Sequence, residues 1–301
     1  KSTYKDFEVV VIDDGSTDKS MEIVSKFPVK IIKFESNKGP AAARNIGIDG
    51  SKGEILLFID SDVTIKENAL ELMNKTFDEK EIDALIALRS KKPLNKGLTP
   101  SYWALYKYYL WTKSKLVYQT SFTTNRGAIR RSVVEKIGKF DEKYKQADVE
   151  DFDYGYRLSS NGYKIYINRN IIVAHNYPSF SQSLKKFSRR SYQWVRLFLR
   201  RKKFDKVYTT SDMGLKVAVS FLVFLLFISA IIYDLLIIPA YIVLFFYIFL
   251  NSGFYYFALK EKPFFIFPIM FLDFLFSIFI AFGAVLSILM IPIDALKGGQ
   301  K

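Results

Sequence analysis

Cysteine is absent from the 301 residues, and histidine occurs once, as His175. Without a thiol the chain forms no disulfide, holds no thiolate metal centre and has no cysteine nucleophile. A single imidazole excludes a multi-histidine zinc site, and a Ser-His triad has only His175 to draw on. The groups left for chemistry are carboxylates, hydroxyls, amines, guanidiniums and the backbone. Hydrocarbon, by contrast, is plentiful. Half of the residues are apolar, with 28 Phe and 19 Tyr among them, and Phe and Ile crowd together after residue 214.

The net charge of +14 is unevenly placed. Between Lys185 and Lys206 stand ten Lys/Arg against one acid, Asp205, whereas from Val207 onward five basic and five acidic residues cancel. A concentrated basic belt fits either nucleic acid or an anionic membrane surface. The residues after the belt favour the membrane. The stretch "GLKVAVSFLVFLLFISAIIYDLLIIPAYIVLFFYIFLNSGFYYFAL" begins at Gly214 and is long enough for two helices of ~20 apolar residues. Tyr233-Asp234 and Pro239 mark the hairpin between them. A third span is expected within Phe264–Pro292, from about Phe271, which makes 214–292 a membrane region of about three helices. The belt, "SLKKFSRRSYQWVRLFLRRKK", places Leu184, Phe187, Ser191, Trp194, Val195 and Phe198 at helical spacing, with cations around most of the rest. That pattern predicts a basic amphipathic helix over 181–206, lying on anionic headgroups. No nucleic-acid partner is expected. Positive charge at the entrance of the first span puts this side, and the domain before it, in the cytoplasm. Lys260 and Lys262 agree; Lys297 and Lys301 would lie outside.

The front half alternates short apolar runs, "FEVVVID" (7–13), "VKIIKF" (29–34), "EILLFID" (54–60) and "IDALIAL" (82–88), with helical stretches at 17–26, 40–49 and 66–78. Ser16 is a candidate N-cap, and Pro40 suits a first helical turn. Such alternation predicts an α/β domain with a mostly parallel sheet covered on both faces. In these sheets ligands bind beyond the carboxyl ends of the strands. There the chain carries acids in pairs: Asp13-Asp14 closes one strand, and Asp60 and Asp62 close another. Residues two apart on an extended chain point the same way, so Asp60 and Asp62 can face one ion. An all-oxygen donor set selects a hard divalent cation, Mg²⁺ or Mn²⁺, which also relieves the repulsion within the pair. A solvated Asp-Ser-Asp turn is the bland alternative.

Two families place acids in this way. A receiver domain of signalling proteins has an early acid pair, a phosphoacceptor near Asp60 and a hydroxyl near Ser90, but its Lys-Pro ending is missing from "QTSFTTNRGAI". The fuller resemblance is to the GT-A, family 2 glycosyltransferases. "YKDFEVVVIDDGSTD" resembles their nucleotide-binding strand and turn. "NKGPAAARNIGIDGSKGEILLFIDSD" resembles their Asn-x-Gly…Ala-Arg-Asn segment with the Asp-x-Asp motif. "TTNRGAIRRSVVEKIGKFDEKYKQADVEDFDYGYRLSSNGYKIYI" resembles their acceptor-side block.

The resemblance implies a Rossmann-like GT-A domain over 1–180. Asp13, Asp14 and Arg44 would hold the nucleotide, Asp60 the sugar ribose and the metal, and Asp62 the metal. Asp151 would be the general base, with Glu150 beside it. His175 would complete the metal shell or be an ordinary strand-end histidine. The activity implied is inverting transfer of one sugar from a nucleotide-sugar, with a UDP-sugar favoured, to a lipid-linked or glycan hydroxyl acceptor. A polyprenyl-phosphate acceptor is the alternative. Arg130 and Arg131 form a solvated helix start or grip an anionic substrate, and Trp103 and Trp111 line an acceptor groove or rest on the membrane. Two departures stand out. "RRSYQW" at 189–194 scrambles the Gln-x-x-Arg-Trp order of processive synthases, which favours single-sugar transfer. The family also begins with a strand and an aromatic turn ahead of "YKDFEVVVIDD", so a preceding strand is expected.

Overall fold

The computed structural model describes residues 1–147, 149–205, 207 and 210–298, with side chains as far as 291. Lys206, at the end of the expected belt, and Lys301 lie outside the described residues, as does the side chain of Lys297. In chain order the elements are β1 (Val10–Asp13), α1 (Ser20–Val24), β2 (Lys30–Lys33), α2 (Pro40–Gly50), β3 (Ile55–Phe58), β4 (Val63–Ile65), α3 (Ala69–Glu79), β5 (Ala84–Arg89), α4 (Leu98–Lys113), β6 (Tyr118–Gln119), β7 (Gly127–Arg130), α5 (Arg131–Ile137), α6 (Glu150–Ser160), β8 (Ile165–His175), α7 (Phe180–Arg201), α8 (Ser211–Ala230), α9 (Ile237–Glu261) and α10 (Ile266–Gly298). They form two compact units, Lys1–Arg89 with Leu116–Ala174, and Ser90–Lys115 with His175–Lys301.

The first unit is α/β. Its strands β1 and β2 pair in parallel, and a second sheet runs in the order β3-β7-β5-β8-β4, with β6 on β8. Strands β5 and β8 are parallel, and β7 lies antiparallel between β3 and β5. Thus β3, β5 and β8 share one direction, and β7 and β6 run against it. The apolar run of β5 is buried at all six positions, with β7 and β8 on its two sides and α3 packed against it. Its core partners include Met73 and Phe77 of α3 and Ile171 of β8. Helix α1 starts later than expected. Ser16 is in the turn, where its N–H donates to Asp13 Oδ1 at 2.9 Å, and the first helical residue is Ser20.

The second unit is helical. Helices α8, α9 and α10 supply three segments long and apolar enough to cross a membrane, Ser211–Ala230, Asp234–Glu261 and Pro263–Ile291. Many of their apolar side chains are exposed, Phe264 and Leu235 most of all. That is a tolerable surface only beside lipid or protein. Helix α7 opens with a full capping box, Ser179 accepting from Gln182 N–H while Gln182 returns the bond. It lies along α10: Phe180 meets Phe276, and Ser287 Oγ donates to Tyr192 O at 2.9 Å.

Helix α4 packs into the same core. Trp103 stacks on Phe187 of α7 at 4.0 Å between centroids and donates to Ser183 Oγ at 2.9 Å. Trp103 and Trp111 are both buried, so they neither face an acceptor groove nor rest on lipid. The same core hides an acid inside an apolar span. Asp273 of α10 accepts from Tyr102 of α4 at 2.8 Å, and from Tyr247 and Tyr255 of α9 at 2.8 and 2.9 Å.

Candidate active site

The acid pairs stand at the strand ends, where a parallel sheet places its ligands. Asp13 is the last residue of β1 and is buried. The hydroxyl and the N–H of Ser16 hold its carboxyl below the ordinary range, and its Oδ2 is buried with no partner among the described residues. Asp14 is differently employed. Its two oxygens accept from Lys38 N–H at 2.6 Å and Gly39 N–H at 2.9 Å, while Asn37 donates to its carbonyl at 3.1 Å. Asp14 therefore shapes the loop that launches α2. Gly39 in that loop has φ 92°, and a β-carbon there would collide with Lys145 O, so only glycine fits.

From that loop α2 delivers two adjacent side chains to the segment before α6. Asn45 clasps Phe140 in both directions, Nδ2 to the carbonyl at 3.0 Å and the N–H to Oδ1 at 2.9 Å, and also reaches Glu142 at 2.8 Å. Arg44 donates to Glu150 Oε1 at 2.7 Å and lies 3.7 Å from Asp60 Oδ1. One guanidinium thus ties the end of β3 to the start of α6. Glu150 is buried, so this ion pair is shielded from solvent on the carboxylate side. From sequence alone Arg44 is assigned to the nucleotide and Asn45 has no role. Two adjacent polar residues on an otherwise small-residue helix are the signal that points to them.

Asp60 and Asp62 occupy the turn between β3 and β4, closed by Val63 N–H donating to Asp60 O at 3.1 Å. Asp151 is the second residue of α6 and accepts from Phe152 N–H at 2.9 Å. The helix needs no room for a side chain at Gly155, where the backbone of Ser121 and Phe122 presses against it. His175 ends β8, is buried, and packs its ring on Tyr177 at 4.6 Å. Arg130 and Arg131 are half-buried and tied to the protein backbone. Arg130 donates to the carbonyls of Ile82 and Phe77, and Arg131 to those of Gly53 and Ile48.

No group of three or more His, Asp or Glu side chains is gathered as a metal cage among the described residues. A small hard cation does not demand one. Mg²⁺ and similar ions are commonly held by one or two carboxylates, with substrate phosphates and water completing the shell. The all-oxygen pair Asp60 and Asp62 fits that requirement.

Residues 1–138 match the sequence model described as "Glycosyl transferase family 2". This stretch is a family 2 glycosyltransferase domain. A receiver domain is thereby set aside. Among curated proteins, the chain is 40% identical over 91 residues to glycosyltransferase GlyG of Streptococcus pneumoniae, covering 29% of this chain and 30% of that protein. It is 36% identical over 101 residues to the poly(ribitol-phosphate) beta-N-acetylglucosaminyltransferase TarS of Staphylococcus aureus, covering 32% of this chain and 18% of TarS. These matches thus span less than a third of either relative's length. Two solved structures overlay on the chain. TarS 1-349 in complex with UDP-GlcNAc gives a TM-score of 0.47 at 22% identity, covering 65% of this chain and 58% of that one. The mannosyltransferase PcManGT from Pyrobaculum calidifontis, in complex with GDP-Man and Mn2+, gives 0.48 at 20% identity, covering 67% and 56%. The family 2 domain accounts for β1 to α5, and the acidic start of α6 comes next in the chain.

Proposed function

We propose that the chain is a membrane-anchored, inverting glycosyltransferase that moves one sugar from a nucleotide-sugar, a UDP-sugar by preference, to a hydroxyl of a lipid-linked or glycan acceptor. The observation that carries this reading is the Arg44 bridge. It joins the donor-side acid Asp60 of a family 2 domain to Glu150, the neighbour of Asp151 at the start of α6, through one guanidinium. The orphan Oδ2 of Asp13 offers an acceptor for a base N–H at the end of β1.

A divalent ion on Asp60 and Asp62 would supply positive charge to the departing diphosphate. The chain's own residues do the rest. Arg44 and Glu150 fix the floor of the site, and Asp151 is the carboxylate that takes the acceptor proton. Inversion results from a single in-line displacement by that activated hydroxyl. His175 is proposed as a further metal ligand, as the family resemblance implies. The three apolar helices support membrane anchoring, and the basic belt supports a cytoplasmic catalytic side and contact with an anionic surface.

The test is turnover of a panel of nucleotide-sugars by the purified chain, with and without Mg²⁺ or Mn²⁺. Divalent-dependent release of the nucleoside diphosphate is expected. Absence of release across the panel, with glycan and lipid-linked acceptors both present, would reject the reading.

A further inference from the structure

Four aromatic rings close a circuit beside the Arg44 bridge. Phe140 stacks on Tyr154 at 4.2 Å between centroids and meets Phe58 edge-on at 5.5 Å. Phe122 completes the circuit at 6.4 Å from Phe58 and 6.3 Å from Tyr154. The Arg44 guanidinium lies 5.8 Å from the Phe140 centroid. Two of these rings stand next to site carboxylates in the chain. Phe58 ends β3, two residues before Asp60, and Tyr154 follows Asp151 by three residues, on the same side of α6. Phe140 is the ring packed more closely against both. It is buried, as any core ring would be, but its backbone is held as well. The peptide unit Lys139–Phe140 is bonded at its oxygen by Arg157 of α6 and at its N–H by Asn45 of α2, at 2.9 Å for the latter. Asn45 returns to the Phe140 carbonyl at 3.0 Å. Asn45 is itself buried, so water does not compete for these bonds.

Transfer to a hydroxyl asks that the carboxylate taking the proton keep its place relative to the acid on the donor side. A displacement of about 1 Å can cost about a hundredfold in rate. We propose that Phe140 is a positioning residue: its ring, mounted by Asn45, sets the separation of Asp60 from Asp151. The effect on turnover rests on the transferase reading, whereas the separation itself does not.

The test uses the full chain in mild detergent. Because the chain has no cysteine, Ser61→Cys with Ser160→Cys places one nitroxide beside Asp60 and another at the end of α6. Double electron–electron resonance then reads the distance between them. Phe140→Leu and Asn45→Ala should each shift or broaden that distance, and Phe140→Tyr, which keeps the ring, should restore it. Met73→Ala hollows the separate core of α3 and β5, so it should lower stability and leave the distance alone. In the unlabelled chain, Phe140→Leu should lower kcat at least about tenfold with KM for the nucleotide-sugar within about twofold, the pattern of a lost transition-state alignment. Phe140→Tyr should recover most of that loss, and Met73→Ala should stay near wild type. An unchanged distance in Phe140→Leu would overturn the proposal whatever the rate, and so would wild-type kcat at a shifted distance. Losses in Met73→Ala as large as those in Phe140→Leu would reduce Phe140 to core packing. A wild type that releases no nucleoside diphosphate would reject the transferase reading, and the label distance would still decide the role of Phe140.

Discussion

Arg44 and Glu150 lie 106 residues apart in sequence and 2.7 Å apart in space. The carboxylate is buried and the guanidinium nearly so, which makes the pair costly to break and modest in net stability when whole. Arg44→Met should destabilise the α/β unit by about 3 kcal/mol, since it removes one partner of a buried ion pair. Adding Glu150→Gln should restore most of that loss. Thermal unfolding of the two single variants and the double one gives the coupling directly. Additive losses would mean that the contact carries no special weight. Turnover should fall in all three, because each one loosens Asp60 and the start of α6.

Asp62→Asn should remove most divalent-dependent turnover while the unfolding temperature stays near wild type. The ion would rest on Asp60 and Asp62, so losing one halves the carboxylate charge that holds it against the diphosphate. Titration of Mn²⁺ against turnover reads the effect, and unchanged metal dependence would dismiss the Asp-Ser-Asp assignment. His175→Ala should weaken the metal requirement less.

Asp151→Asn tests the acceptor class. A sugar hydroxyl needs a proton removed, which is worth roughly 10²–10⁴-fold in rate, whereas a lipid phosphate is already anionic. Nucleotide-sugar binding should persist and turnover with a hydroxyl acceptor should drop at least about a hundredfold. Normal turnover with polyprenyl phosphate would favour the phosphate acceptor instead.

Asp13 predicts a pH dependence. Ser16 depresses its carboxyl pKa in the folded chain. A depressed acid stabilises the fold above its unfolded pKa, and that contribution fades as pH falls through the folded value. The stability gap between wild type and Asp13→Asn should therefore be full at pH 7 and shrink below about pH 4. Unfolding temperatures across that range would show it, and a gap independent of pH would exclude the Ser16 bonds as its source.

Asp273→Leu should destabilise the helical unit, because three phenols would lose their acceptor at about 1–3 kcal/mol each at most. Asp273→Asn keeps an acceptor oxygen and should cost less. The order of melting temperatures in detergent, wild type above Asn above Leu, is the expected outcome. Indifference to both changes would reduce the cluster to packing.

Legibility in the sequence divides along contact distance. The strand cores, the Pro40 start of α2 and the three apolar helices are local patterns, and they fall within a few residues of the observed bounds. The turn of Asp60 and Asp62 is equally legible, since a charged pair after an apolar strand needs no distant partner to be noticed. Arg44 and Asn45 are not, because their roles are set by Glu150 and Phe140, about a hundred residues away. Trp103 is opaque for the same reason. An aromatic helix between two strands reads as a surface element until its partners in α7 and α10 are known. Asp273 is hidden by its neighbours, one acid in a long apolar run.

The bond from Tyr102 to Asp273 joins residues separated by 171 positions. A ribosome adding ~5–20 residues per second makes α4 roughly ten to thirty seconds before it makes the carboxylate that receives it. During that interval the aromatic face of α4 gains its partners one helix at a time, Phe187 of α7 first, Phe254 of α9 next and α10 last. The packing of α4 is therefore complete only once α10 has been made, which makes it among the last contacts of the chain to close.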